Sequence, residues 1–364
     1  MKRRDLIRGL GVGAAAAAVA ACSRGADPVG PAAAGRTYQW RLVTTWPANF
    51  PALGTGASDF ARRVEACSGG RLKIRVYGDG ELVPAFEIFD AVAGGTAEMG
   101  HGAAYYWKGK VPASSFFASV PFGLIAQEMN AWLYFGGGWE LWKEAYAPFG
   151  LVPVPSGSSG CQMGGWFRKE IRSLADLRGL KMRIPALGGE VIARAGGTPV
   201  TMPGAEIFTS LQSGAIDATE WIGPYNDLAF GLYKAAKYYY YPGWHEPGST
   251  LELIINQAAF ESLPEDLREI VMACAAATND QMLAEFTARN ADALQTLVRD
   301  HGVELRPFPD EVLRELRRLS VQVLEETAAR DPMFRRVLDS LLAFRQRMTP
   351  YIDIAERAFL NTRT

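Results

Sequence analysis

Apolar and polar residues alternate along three short stretches near the start of the chain: Tyr38 to Thr44, Leu72 to Tyr77, and Glu98 to Ala103. The second is the clearest, with Leu72, Ile74 and Val76 set against Lys73, Arg75 and Tyr77. A period of two predicts strands buried on one face. Between them the period lengthens. Phe60 and Val64 stand at helical spacing within Leu53 to Cys67, closed by Ser68-Gly69-Gly70, and Phe86, Phe89 and Val92 mark a second helix over Ala85 to Ala93. Strand, helix, strand, helix, strand predicts a parallel sheet with right-handed crossovers. Ligands of such sheets bind beyond the carboxyl ends of the strands. Thr45-Trp46-Pro47 and Tyr105-Tyr106-Trp107 lie at such ends.

Gly136-Gly137-Gly138 and the segment Pro153 to Gly160 then interrupt the pattern. It restarts with a strand through Gln162 to Phe167, a short helix at Ser173 to Leu177, and the phrase Gly179-Leu180-Lys181-Met182-Arg183-Ile184-Pro185. In that phrase Leu180, Met182 and Ile184 alternate with Lys181 and Arg183, and Pro185 ends the strand. Helices near Glu190 to Ala195 and Ala205 to Gln212 and a strand at Asp217 to Trp221 complete a second α/β domain. Tyr238 to Tyr241 and Leu251 to Asn256 read as strands crossing back to the first. From Pro264 the chain is helical, with Leu267, Ile270, Val271, Cys274, Met282 and Phe286 on one face. Asp331-Pro332 is an N-cap followed by proline at the first helical position. Thr349-Pro350 predicts a fresh last helix, whose Tyr351, Ile352, Ala355 and Phe359 dock either on a second copy, giving a homodimer, or on the chain's own body.

With 364 residues, 48% hydrophobic and 21% charged, the chain suits one large or two ordinary soluble domains. The net charge is −1. Lys2, Arg3, Arg4 and Arg8 against Asp5 give the first 21 residues a net +3, which leaves −4 for the remainder. A mildly acidic body with no basic stripe argues against nucleic acid as a partner.

Lys2-Arg3-Arg4-Asp5-Leu6-Ile7-Arg8 has the shape of a twin-arginine export signal, and the apolar run Leu10 to Ala21 is too short to span a bilayer. It ends Val19-Ala20-Ala21-Cys22, which resembles a lipobox and makes Cys22 the expected lipidation site. The chain is therefore expected in the periplasm, with membrane contact through a lipid anchor alone, and residues 23–36 form a tether. Cys67, Cys161 and Cys274 are far apart in sequence, lack CxxC spacing, and are expected to be buried small residues rather than zinc ligands or a disulfide framework.

No GxSxG elbow, phosphate loop, HExxH, or GxGxxG after a strand is present. Gly78-Asp79-Gly80 comes nearest to the last and reads as a turn. The candidate chemistry lies in Arg183. An arginine at a strand end can grip a carboxylate through two parallel hydrogen bonds, which lysine cannot. If Arg183, Glu220 and Glu246 converge on a bound monocarboxylate, one positive and three negative charges sum to −2. Two like charges about 4 Å apart cost on the order of 4 kcal/mol at an effective dielectric of about 20. A cation bridging the glutamates, with Gln162 supplying a side-chain carbonyl, relieves that cost, and an oxygen shell favours a hard ion such as sodium or calcium.

Gln162-Met163-Gly164-Gly165-Trp166-Phe167-Arg168, Gly179 to Arg183, Gly214-Ala215-Ile216-Asp217-Ala218-Thr219-Glu220-Trp221 and Tyr239-Tyr240-Tyr241-Pro242-Gly243-Trp244 resemble the solute-binding proteins of tripartite ATP-independent periplasmic (TRAP) transporters. Within that DctP family the likeness is to the alpha-keto-acid-binding branch, and it runs from about Trp40 to the end of the chain. The resemblance implies an α/β, two-lobe periplasmic binding protein-like fold with hinge strands and a helical C-terminal region. The chain's expected divisions are 1–22 export signal with lipobox and 23–36 linker, both read from the N-terminal residues and unlike the freely soluble members, then 37–158 with 249–288 as one lobe, 159–248 with 289–345 as the other, and 346–364 as a C-terminal helix for dimer contact. The resemblance implies that Arg183 holds the substrate carboxylate, with Gln162, Tyr105, Tyr106, Trp221 and Asn226 around the substrate. Gln162, Glu220, Trp221 (through its main-chain carbonyl) and Glu246 would hold a metal cation, sodium in preference to calcium. Trp107 and His245 depart from the family pattern, where a tyrosine and a tryptophan are expected, and they bear on the choice of substrate.

The expected function is capture of a small 2-oxo or 2-hydroxy monocarboxylate (pyruvate, 2-oxobutyrate or lactate) and its delivery to TRAP membrane permease subunits, without catalysis. Aromatic walls at Trp46, Tyr105, Tyr106 and Trp221 would limit the size of the substrate. Two other classes fit the same residues: a periplasmic lyase or hydrolase using Glu220 and Glu246 as paired carboxylates, and a sensory or scaffold lipoprotein with no role in transport.

Overall fold

The computed structural model describes residues 36–363, so the export signal and Cys22 lie outside the described residues. Its strands are β1 Tyr38–Thr44, β2 Leu72–Tyr77, β3 Met99–Gly102, β4 Leu151–Gly160, β5 Gly165–Phe167, β6 Lys181–Arg183, β7 Thr198–Val200, β8 Ala218–Thr219, β9 Tyr238–Tyr241, β10 Ser249–Asn256 and β11 Glu304–Pro307. They form two sheets, ordered β2-β1-β3-β10-β4 and β11-β9-β5-β8-β6-β7. The fold is α/β with two lobes, one on each sheet.

Both sheets are mixed, where a parallel sheet was expected for the first lobe. β1 and β3 run parallel, with Leu42 opposite Met99, but β10 enters antiparallel between β3 and β4, with Leu253 opposite both His101 and Val154. Crossover helices dictate the parallel pairs, whereas β10 arrives from the other lobe and is free to run the opposite way. In the second sheet β6 lies parallel to β7 and β8, and β5 is antiparallel to β8 and β9.

The segment Pro153 to Gly160, read as a break, belongs to β4, ten residues long. Its two prolines disguise it. Proline lacks an N–H, which an edge strand can tolerate because one of its sides is unpaired; β4 pairs with β10 alone. Of the two strands expected to cross back, only β10 does so. β9 stays in the second sheet, between β11 and β5.

Each lobe has its own aromatic core. Phe117 is sandwiched between Trp142 and Trp132 at centroid distances of 5.1 and 6.0 Å in the first, and Trp166 stacks on Tyr239 at 4.0 Å in the second. Stacked rings bury large apolar areas in defined geometry. The helix Glu265–Arg299 follows β10 and packs on β4, on the helix Leu53–Cys67, and on the helix Pro224–Phe230.

Asp331 caps the helix Pro332–Ile352 by accepting from the Phe334 N–H at 2.8 Å. No new helix begins at Thr349-Pro350: the same helix runs through Pro350, and a π-helical turn at Asp353–Arg357 leads into Ala358–Asn361. Just before the proline the Thr349 hydroxyl donates to the Arg345 carbonyl at 2.8 Å, one turn back. Tyr351, Ile354, Phe359 and Leu360 are exposed on this tail. Among the described residues no helix is long and apolar enough to cross a membrane.

Candidate functional site

Two short segments carry the chain between the sheets: one from β4 to β5 through Gln162, the other from β9 to β10 through Glu246. They lie against each other. The Gln162 N–H donates to the Glu246 carbonyl at 3.2 Å, and the Gly243 N–H to the Gln162 carbonyl at 3.1 Å. Contact this close needs a glycine, because a Cβ on Gly243 would sit 2.2 Å from the Gln162 carbonyl oxygen. A backbone position that approaches another backbone so closely has no room for a side chain.

On this crossing the Gln162 amide Nε2 donates to Glu246 Oε2 at 2.8 Å and to Ser159 Oγ at 3.2 Å, and Ser249 Oγ also donates to Glu246 Oε2. The Gln162 Oε1 oxygen is buried and has no protein partner. A buried carbonyl oxygen without a donor is unfavourable unless a ligand or ion satisfies it.

Arg183 ends β6, beside β8, and the Glu220 N–H donates to its carbonyl at 3.2 Å. Pro185 then caps the helix Ala186–Arg194. The guanidinium is 1% exposed. Its Nη1 donates to Glu220 Oε1, while Nε and Nη2 each reach the Met202 carbonyl at 3.3 Å. Sequence reasoning set Arg183 and Glu220 at opposite poles of the site, but here they are in contact. Neighbouring strands carry them to the same sheet end, and a buried cation and anion pair rather than stand apart. Burial works most strongly against the arginine's charge, yet the Glu220 carboxylate together with Tyr106 and Tyr105 outweighs it and raises the Arg183 pKa above the ordinary arginine value.

Trp221 lies beneath this pair, with Arg183 Cζ 5.3 Å from its ring centre, Phe50 and Phe230 edge-on to it, and its indole N–H buried without a partner. The approach is tight on the far side as well, since a Cβ on Gly204 would meet the Trp221 ring at 2.5 Å. Tyr105 and Tyr106 stand edge to face at 4.9 Å in the field of Arg183. Burial raises both phenols, and the Glu246 charge adds to it at Tyr105.

Glu246 completes the group. Burial and then the Glu220 charge push its pKa up to about 7, against the opposing pull of His245, Ser249 and Arg183. Glu220, His245 and Glu246 each offer a ligand atom within 4.8 Å of the others, and all three are buried. His245 is the residue that sequence reasoning missed. It drew notice only as a departure from the family pattern, yet its Nε2 meets Glu220 Oε2 at 3.3 Å. Its place directly before Glu246 was the available signal.

The structure thus brings together Gln162, Glu246, Glu220, Arg183, Trp221, Tyr105 and Tyr106. Asn226 stands apart from that network, with its amide N–H donating to the Pro51 carbonyl at 3.0 Å and its buried oxygen left without a partner. Trp46 packs edge-on against His101 at 5.1 Å. The donor chemistry fits a hard cation: two carboxylates and an amide oxygen, beside one imidazole whose Nε2 is engaged by Glu220 and whose Nδ1 is buried without a partner. The guanidinium and the indole N–H fit an anion beside it.

Comparison with known proteins identifies the family. Residues 42–331 match the family model described as bacterial extracellular solute-binding protein, family 7. A monocarboxylate 2-oxoacid-binding periplasmic protein of Nostoc sp. is 42% identical over 99% of this chain and 98% of its own length. A TRAP periplasmic solute-binding protein of Colwellia psychrerythraea, solved with calcium and pyruvate, is 43% identical with a TM-score of 0.88 over 90% of this chain and 100% of its own. One from Pseudoalteromonas atlantica, solved with sodium and pyruvate, is 42% identical with a TM-score of 0.87 over 90% and 99%. The chain belongs to the DctP family, the solute-binding proteins of TRAP transporters.

Proposed function

We propose that this protein binds a small 2-oxo monocarboxylate together with one hard cation, and passes the acid to the permease of its transporter. The observation that carries the reading is the buried, unpartnered Gln162 oxygen beside Glu246 and Glu220, on the segments that join the two lobes. In this reading Arg183 holds the carboxylate. Gln162, Glu220, Glu246 and the main-chain carbonyl of Trp221 hold the cation, and Tyr105, Tyr106, Trp221 and Asn226 enclose the substrate. The relatives that bind pyruvate with calcium or sodium support it. So does the occupation of Glu220, whose oxygens are engaged by Arg183 and His245. A carboxylate tied in this way suits binding better than proton transfer.

Residues 37–158 with 249–288, and 159–248 with 289–345, then act as rigid bodies that close over the ligand by hinge motion. Export through the twin-arginine-like signal and attachment at Cys22 would hold the receptor near the permease. The exposed C-terminal apolar residues would take a second copy of the chain.

Thermal-shift screening against a carboxylate panel tests the substrate class. Pyruvate and 2-oxobutyrate should raise the melting midpoint, and dicarboxylates and sugars should leave it unchanged. Stabilisation by sugars alone would refute the assignment. Incubation with excess pyruvate should leave it chemically unaltered.

A further inference from the structure

Cys67 and Cys274 are far apart in sequence but meet in the fold. Cys67 is the last residue of the helix Leu53–Cys67, and Cys274 lies in the helix Glu265–Arg299 that packs along it. Contacts on either side fix the register of this antiparallel pair. At one end a Cβ on Gly56 would meet the Met282 methyl carbon at 2.5 Å, and Arg63 donates to Gln281. At the other, just past the first helix, Arg71 pairs with Asp266. The same register sets Cys67 beside Cys274 between them, and the Cys67 thiol acts directly on that of Cys274. Of the three cysteines expected to be buried only Cys274 is; Cys67 is exposed at the end of its helix, and Cys161 is a separate exposed thiol.

We propose that Cys67 and Cys274 form a disulfide in the mature protein, stapling the long crossing helix to the first helix. Extracytoplasmic compartments oxidise and retain such pairs. The roles of the two sulfurs follow from their surroundings. Burial, reinforced by Cys67, raises the Cys274 thiol to about 11 and disfavours its thiolate, while the exposed Cys67 is the one an oxidant can reach. The Cys67 thiolate attacks one sulfur of an oxidising protein or glutathione disulfide, which expels the first thiolate and leaves a mixed disulfide. The Cys274 thiolate then attacks Cys67 Sγ and expels the second. One S–S bond is made and one broken, both cysteine protons go to solvent, and two electrons pass to the oxidant. Gln162, Arg183, Glu220 and Glu246 all lie between the two cysteines in sequence, so the closed loop contains the whole candidate site. Cross-linking a loop of this length restricts the unfolded chain strongly. The inference does not depend on which ligand the site takes.

The test is peptide mapping of the full chain, exported by its host, blocked with N-ethylmaleimide at harvest and digested without reductant. The expected result is one linked peptide holding Cys67 and Cys274, lost on reduction, with Cys161 carrying the label. Both cysteines labelled, even after treatment with oxidised glutathione, would overturn the proposal, as would linkage of either to Cys161. Thermal unfolding supplies a second readout. Reduction should lower the midpoint by about 3 °C or more in the parent chain and leave Cys67→Ser unchanged. Equal shifts in the two proteins would overturn the staple.

Discussion

Gln162 and Glu246 bond to each other twice where the chain crosses between lobes, side chain to side chain at 2.8 Å and main chain to main chain at 3.2 Å. The amide nitrogen of Gln162 is thereby committed to Glu246, and its oxygen is left buried with no donor. That orientation fixes the role the glutamine can play. It offers an acceptor beside two carboxylates, which is what a cation needs and an anion does not.

Replacing Gln162 by alanine should therefore weaken cation-dependent ligand binding more than it weakens the fold. Hydrogen bonds to charged groups contribute about 1.5–3 kcal/mol, so a ten- to hundredfold loss of affinity is expected in calorimetry. Circular dichroism should remain that of the parent.

Arg183 should show a different balance. Arg183→Ala leaves the Glu220 carboxylate buried without its main partner, which costs about 3–5 kcal/mol for a broken buried pair, and it also loses the ligand. Arg183→Lys keeps the charge but lacks the fork. The lysine variant should melt closer to the parent than the alanine variant does, while still binding 2-oxo acids at least tenfold more weakly. Unchanged affinity in the lysine variant would show that the carboxylate is held elsewhere.

Gly243→Ala tests the crossing itself. The added methyl would collide with the Gln162 carbonyl, and overpacking of this kind costs about 1–3 kcal/mol. The midpoint of urea unfolding should fall, and the ligand response should fall with it because Gln162 is displaced.

Much of this was legible in the sequence, and the boundary has physical causes. Alternation through Leu180, Met182 and Ile184 placed Arg183 on a strand, and Pro185 marked where that strand stops. Charge arithmetic over Arg183, Glu220 and Glu246 then called for a cation with Gln162 as a further donor, and family resemblance made that set specific. Periodicity could not have paired Gln162 with Glu246, because the contact is made by two non-repeating crossing segments. The strand expected over Asp217 to Trp221 is realised as the two-residue β8, and β4 was hidden by prolines that an edge strand accepts. The direct Arg183–Glu220 pair was missed because charges were counted for a site, not for neighbouring strands. Cys67 and Cys274 belong to the same class of omission, since a contact between distant helices leaves no local trace.

Stability should also respond to pH through Glu252, buried on β10 with Trp107 Nε1 and the Tyr146 hydroxyl as donors. Burial pushes its pKa up to about 8, despite those two donors. The folded state therefore holds its proton where the unfolded chain has released it. Its contribution is intact below the unfolded value of about 4.3, declines as pH rises, and is lost once pH passes about 8. In the parent chain this group should lower stability from pH 5 to 8, roughly the span between those two values. Glu252→Gln should flatten that decline, as read from urea unfolding at a series of pH values. An unchanged slope would mean that Glu252 stays ionised in the fold.

Cation and carboxylate sharing one site is the claim on which the rest depends. It is tested most directly by calorimetric titration of pyruvate into protein stripped with chelator and held free of sodium, then repeated with calcium and with sodium restored. The account predicts weak or absent heat in the stripped protein and at least tenfold tighter binding with one of the ions, with Gln162→Ala failing to recover. Equal pyruvate affinity with and without both ions would contradict it.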